Sequence, residues 1–242
     1  MPEFQVEVET PDGTMECFAV HPDGEGPFPP VILYMDAPGI REELRDFCRR
    51  ISSHGYFALL PDLYWREGKM RFDLTKGQSE MDRMFASMDA INTGLVMRDT
   101  EGMLAYLDGN PVVGAPVGCI GYCMSGQYVV AAAGNFEDHF AAVASLYGVG
   151  IVTDHKQSPH LLAPHIKAEM YLGFAAEDPW VGEDVIPTLT KALDDNNVDY
   201  TLEIHPGTEH GFCFPRRPAY VEPAAEKVWD TFFDLCERKL KG

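Results

Sequence analysis

Positive charge is scarce in this chain. It sets 19 Lys and Arg against 38 Asp and Glu, a formal net charge of −19 over 242 residues. Such a surface argues against nucleic acid and against anionic membrane as partners, since like charge repels. An anionic substrate would need local positive charge against the overall field. Long apolar runs are also missing: none approaches the roughly 20 residues that span a bilayer. The opening "MPEFQVEVET" alternates apolar and polar residues and has neither the basic nor the apolar region of a signal peptide. A cytoplasmic protein is the expectation. There is no internal repeat, no low-complexity tract and no Ser/Gly-rich linker, so one domain over residues 1–242 is expected. Metal-ligand spacing is absent as well. Cys17, Cys48, Cys119, Cys123, Cys213 and Cys236 are scattered, as expected of reduced thiols. His155, His160 and His165 recur at fives among prolines, which suits a surface loop better than zinc.

What the chain does have is apolar content, 45% of residues, arranged in alternating strand-like and helix-like segments. "FQVEVET" and "MECFAV" flank the turn "PDGT" and predict an antiparallel hairpin. "PVILYMD" (30–36) and "YFALLPD" are continuous apolar runs, the mark of strands covered on both faces. Between them, residues 41–55 place Leu44, Phe47 and Ile51 on one helical stripe, with Gly55 as C-cap. Residues 65–97 are Met-rich and interrupted by glycines. They predict an irregular or helical excursion near the cleft, followed by a helix over 98–109. Then come the strand "PVGCIGY", the small-residue helix "MSGQYVVAAAG", and the strands "AAVASLYG" and "EMYLGFAAED". The helix "VIPTLTKALDDN", the strand "VDYTLEIHPG" and a C-terminal helix with Val228, Phe232 and Leu235 on one stripe complete the order. Repeated βαβ units imply an α/β fold with a mostly parallel central sheet flanked by helices on both faces. Chemistry in such sheets lies at the carboxyl ends of strands.

One such end is "CIGYCMSGQY" (119–128). Cys123 follows Gly121 by two residues at a strand-to-helix join, with Ser125 and Gly126 after it. A sharp turn there presents a nucleophile beside helix N-terminal amides, which favour a thiolate. A buried structural cysteine is the competing reading. Ser125 as nucleophile would need glycines at 123 and 127, where Cys123 and Gln127 stand. A nucleophile needs a base, and the base an orienting group. Asp178 and then His210 follow at later strand ends, in the order nucleophile, acid, His. Glu177, His205, Asp194 and Asp195 are rivals less well placed. An oxyanion hole would draw on the backbone N–H groups of Met124 and of Ala37 in "MDAPGI". Asp36 in the same loop is either a cleft acid or a turn residue.

These pieces together resemble the dienelactone hydrolase family of the α/β-hydrolase fold. The matching segments are "YMDAPGI", "HGYFALLPDLYWRE", "GYCMSG", "SLYGVG", "GFAAEDPWV", "EHGF" and "RPAY", from about residue 30 to about 225. The resemblance implies a Cys123–Asp178–His210 triad acting on a small ester or lactone, with neither metal nor organic cofactor. It also implies an acid after the third strand that gates the thiol; Asp36 stands there, where the family usually has Glu. Family members acting on the anionic dienelactone hold its carboxylate with arginines. Arg83 is the nearest candidate in the excursion, and Tyr64 of "PDLY" is a further candidate for substrate binding. The second family arginine falls at Phe214, with Arg216 and Arg217 slightly later. Ser125 replaces a family glycine. A general carboxylesterase acting on neutral esters and a non-hydrolytic thiol sensor are the alternatives, and the oligomeric state is left open.

Overall fold

In the computed structural model, which describes residues 1–242, the N-terminal alternation becomes an antiparallel hairpin, β1 (Glu3–Thr10) with β2 (Gly13–Val20). Residues 1–115 and 116–242 group into two compact units. In the first, the strand order is β1-β2-β4-β3, with β3 at Pro30–Tyr34 and β4 at Phe57–Pro61. β2 meets β4 antiparallel, whereas β3 and β4 run parallel. All residues of β3 and β4 are buried, as their unbroken apolar runs predict. Helix α1 (Glu42–Ser53) buries Leu44, Phe47, Cys48 and Ile51, and the chain leaves it through Gly55 in the left-handed region.

The excursion resolves into two short 3-10 turns, Trp65–Glu67 and Leu74–Lys76, and helix α2 (Gln78–Ala90). Helix α3 covers Thr93–Asp108 and so begins five residues before the expected 98. The Asn92 side chain caps it by accepting the Leu95 N–H at 3.0 Å. Gly94 lies in the first turn behind that cap, where a glycine interrupts nothing. Asp99 on α3 is buried and gathers Trp65 Nε1 and both terminal nitrogens of Arg66.

In the second unit four parallel strands follow the order β5-β6-β7-β8. They are β5 (Val117–Tyr122), β6 (Phe140–Leu146), β7 (Glu169–Glu177) and β8 (Tyr200–Glu209). Helix α4 (Gly126–Asn135) packs on β5 and β6, α6 (Glu222–Leu240) packs on β5, β6 and β7, and α5 (Val185–Asp195) joins β7 to β8. Small residues let α4 come close. A Cβ on Gly126 would sit 2.2 Å from Gly148 Cα and 2.7 Å from Ser145 Oγ. Val228, Phe232 and Leu235 of α6 are buried, as their stripe predicts. The fold is α/β, with mostly parallel strand pairing and flanking helices.

Candidate active site

Each parallel strand of residues 116–242 is followed at once by a side chain of the site. Cys123 follows β5, Tyr147 follows β6, Asp178 follows β7 and His210 follows β8. Parallel neighbours in register bring successive carboxyl ends side by side, so residues far apart in sequence converge there.

Cys123 has φ of 54°, in the left-handed region that L-residues avoid. Such strain costs about 1–3 kcal/mol and persists only where the surroundings hold it. Here they do. Val149 N–H donates to the Cys123 carbonyl at 3.0 Å. Gly121 leaves room for the turn: a Cβ there would lie 2.6 Å from the Ser125 carbonyl oxygen. The 3-10 turn Cys123–Ser125 then leads into α4. Met124 lies in this first turn, so its N–H is at the positive end of the helical segment. Cys123 is partly exposed, while the other five cysteines are buried. Burial raises the thiol pKa of Cys17, Cys48, Cys119, Cys213 and Cys236.

His210 Nδ1 donates to Asp178 Oδ2 at 2.8 Å, and Trp180 N–H donates to Asp178 Oδ1 at 3.0 Å. The imidazole also hydrogen-bonds Cys123. Burial pulls the His210 pKa down, but the hydrogen bonds to Asp178 and Cys123 and their negative charge more than offset it, leaving it raised to about 9. Both hydrogen-bonding neighbours thus favour the protonated ring. The three residues chosen from sequence come together in one hydrogen-bonded chain.

The rivals go elsewhere. Glu177 is exposed at the end of β7. His205 is buried on β8 and bonded to the Tyr171 hydroxyl at 3.1 Å; burial lowers its pKa and keeps it neutral. Asp194 accepts from Tyr200 Oη and Asp195 pairs with Lys191. Ser125 is fully buried. His160 bonds Ser158 Oγ and His155 accepts from the Gln157 N–H, and no group of His, Cys, Asp and Glu has the arrangement of a metal site.

Of the arginines, Arg217 lies beside the histidine. Its guanidinium stacks over the Phe214 ring at 4.4 Å, and its Nη1 would be 3.0 Å from a Cβ on Gly211. Phe214 is buried against Tyr122, with ring centroids 5.3 Å apart. Arg216 is exposed. Arg83, in the first unit, is exposed, paired with Glu80 at 2.6 Å and set over the Phe72 ring.

Also in the first unit, Asp36 is fully buried and held by both arms of Arg41, at 2.5 and 3.1 Å. Arg41 reaches Glu43 as well. Burial opposes the Arg41 charge, and the two carboxylates more than restore it. Ala37 is buried, and its carbonyl accepts from the Tyr64 hydroxyl at 2.8 Å. Tyr64 is itself buried.

Sequence reasoning missed two residues. Arg41 stands five positions after Asp36 with nothing in its type to single it out. Tyr147 has φ of 37°, and its ring lies against His210 with centroids 5.0 Å apart. Its position just past an apolar strand was the available signal.

A strained residue at a strand-to-helix join, within a mostly parallel α/β fold, defines the α/β-hydrolase class. The chain belongs to the dienelactone hydrolase family, whose pattern matches residues 15–240, and it is a hydrolase. A protein of Synechocystis sp. named "Putative carboxymethylenebutenolidase" is 27% identical over 229 residues, covering 93% of this chain and 92% of the relative. A Bradyrhizobium protein named "Probable 2-oxo-3-(5-oxofuran-2-ylidene)propanoate lactonase" is 25% identical over 231 residues, 93% of this chain and 90% of that one. Among solved structures, that of "Putative Dienelactone Hydrolase" from Klebsiella pneumoniae superposes with a TM-score of 0.85 at 22% identity, over 96% of this chain and 98% of the other. At that identity the superposition speaks for the fold. No helix is long and apolar enough to cross a membrane.

Proposed function

We propose that the protein cleaves a small ester or lactone through the Cys123 thiolate. The observation that carries this reading is the chain Cys123–His210–Asp178, each member directly beyond a parallel strand. The thiolate attacks the carbonyl carbon and a C–S bond forms. Met124 N–H, at the positive end of the helical segment, stabilises the oxyanion. Losing one such donor typically costs about 3 kcal/mol of barrier. The C–O bond breaks, and the departing oxygen takes the His210 proton. Neutral His210 then draws a proton from water, which attacks the thioester. The C–S bond breaks, acid is released, and the thiolate–imidazolium pair returns. An enolate leaving group helps, because it ketonises and does not reclose the ring.

For Asp36 the reading gives no proton-holding step, because Arg41 already matches its charge within the same loop. Arg217, stacked beside the histidine segment, is the cation proposed to meet a substrate carboxylate, in place of an arginine at Phe214. A neutral ester is the second reading, favoured by the buried Phe214 and the net charge of −19.

The test follows hydrolysis of a dienelactone beside a neutral aryl ester, with wild type, Cys123→Ala and Arg217→Gln. Cys123→Ala is expected to fall to background on whichever substrate is turned over. Arg217→Gln is expected to raise KM for the lactone and leave the aryl ester unchanged. Turnover that survives in Cys123→Ala would remove the nucleophile assignment. A folded wild type silent on both substrates would favour a thiol-sensing role.

A further inference from the structure

Among the four residues that follow the parallel strands, Tyr147 has no role in the chemistry above, yet its backbone is strained like that of Cys123. Four contacts tie its turn to the rest of the site. Tyr147 N–H donates to the Gly173 carbonyl of β7, the strand directly followed by Asp178. Two residues on, Val149 N–H holds the Cys123 carbonyl at 3.0 Å. The Tyr147 ring meets the His210 imidazole at 5.0 Å and 64°, and it meets Phe212 at 5.3 Å and 61°. Gly148 locks the turn in place: a Cβ there would lie 2.6 Å from Ser145 Oγ and 2.9 Å from Gly126 Cα. One turn thus touches the segments carrying the nucleophile, the acid and the histidine.

We propose that Tyr147 is a positioning residue: its ring, fixed by the strained turn of residues 147–149, holds the His210 imidazole between Asp178 and Cys123. An imidazole with one hydrogen bond at each nitrogen can still rock about the line joining them. A tilted aromatic neighbour removes that freedom, and tilted pairs at 4.5–7 Å are attractive. Holding reacting groups in line is a rate effect, felt in kcat more than in substrate binding. The hydroxyl is not what the proposal requires, so phenylalanine should serve at this position.

The inference rests on the Cys123 reading, and its test is chosen to fail separately. Full-length wild type, Tyr147→Phe and Tyr147→Leu are compared by circular dichroism, by aryl-ester kinetics and by the NMR titration of the His210 ring protons. Tyr147→Phe should keep kcat within about twofold and keep the His210 midpoint. Tyr147→Leu should lose about tenfold or more in kcat at unchanged KM. Its His210 midpoint should move down toward the ordinary histidine value as the bonds to Asp178 and Cys123 loosen. A folded Tyr147→Leu with wild-type kcat and midpoint overturns the proposal. If that variant does not fold, the wild type decides alone: cross-relaxation between Tyr147 and His210 ring protons should persist on both sides of the His210 midpoint, and its absence overturns the proposal. Turnover surviving in Cys123→Ala overturns only the nucleophile reading.

Discussion

His210 sits between two acceptors of its protons, and its behaviour with pH follows from them. Its folded pKa is raised, from 6.5 to about 9. A raised histidine stabilises the folded state fully below its ordinary pKa, and that contribution is lost as pH rises through the folded value. The urea midpoint of the wild type is therefore expected to decline between about pH 6.5 and 9, and that of His210→Gln to stay flatter. Asp178→Asn removes a group that raises the pKa, so the NMR midpoint of His210 should fall. An unchanged midpoint would mean that the Asp178 bond does not govern the ring. At this scale the sequence was informative where a residue type has few uses. A cysteine after Gly-x at a strand end, followed by Asp and His at later ends, is a pattern that chain order alone reveals. Tyr147 and Arg41 were hidden because tyrosine and arginine have many uses, and a positive φ at Tyr147 leaves no mark in composition.

Elements decide whether those residues meet. The join of β5, α4 and β6 depends on glycines packed against backbone as well as against the Ser145 side chain. Gly126→Ala would drive a methyl to within 2.2 Å of Gly148 Cα. The expected result is a loss of about 1–3 kcal/mol, seen as a lower urea midpoint. Activity should fall further than stability alone explains, because the displaced loop carries the Val149 bond to Cys123. Wild-type stability in Gly126→Ala would show that the helix end shifts freely. The buried strands and amphipathic helices were readable from period and length, as with β3, β4 and α6. The start of α3 was not, because a glycine behind a cap reads in sequence like a glycine that breaks a helix.

Over the whole molecule the net charge of −19 sets a field that any substrate must cross. Salt shortens the reach of that field to about 10 Å at 0.1 M. For an anionic lactone, kcat/KM should rise as salt is added, while for a neutral aryl ester it should stay level. A fall with salt would mean that Arg217 and its surroundings, not the global charge, set the potential at the site. Composition argued against nucleic-acid partners by this same imbalance, but a global sum cannot say where a single cation stands. Thiol burial has the opposite character, since it isolates one position from five others of the same kind. An equimolar maleimide dye added to the native protein therefore has one open destination. A fluorophore installed there would sit beside Tyr147 and His210, making the untouched sequence its own single-label sensor of whatever enters.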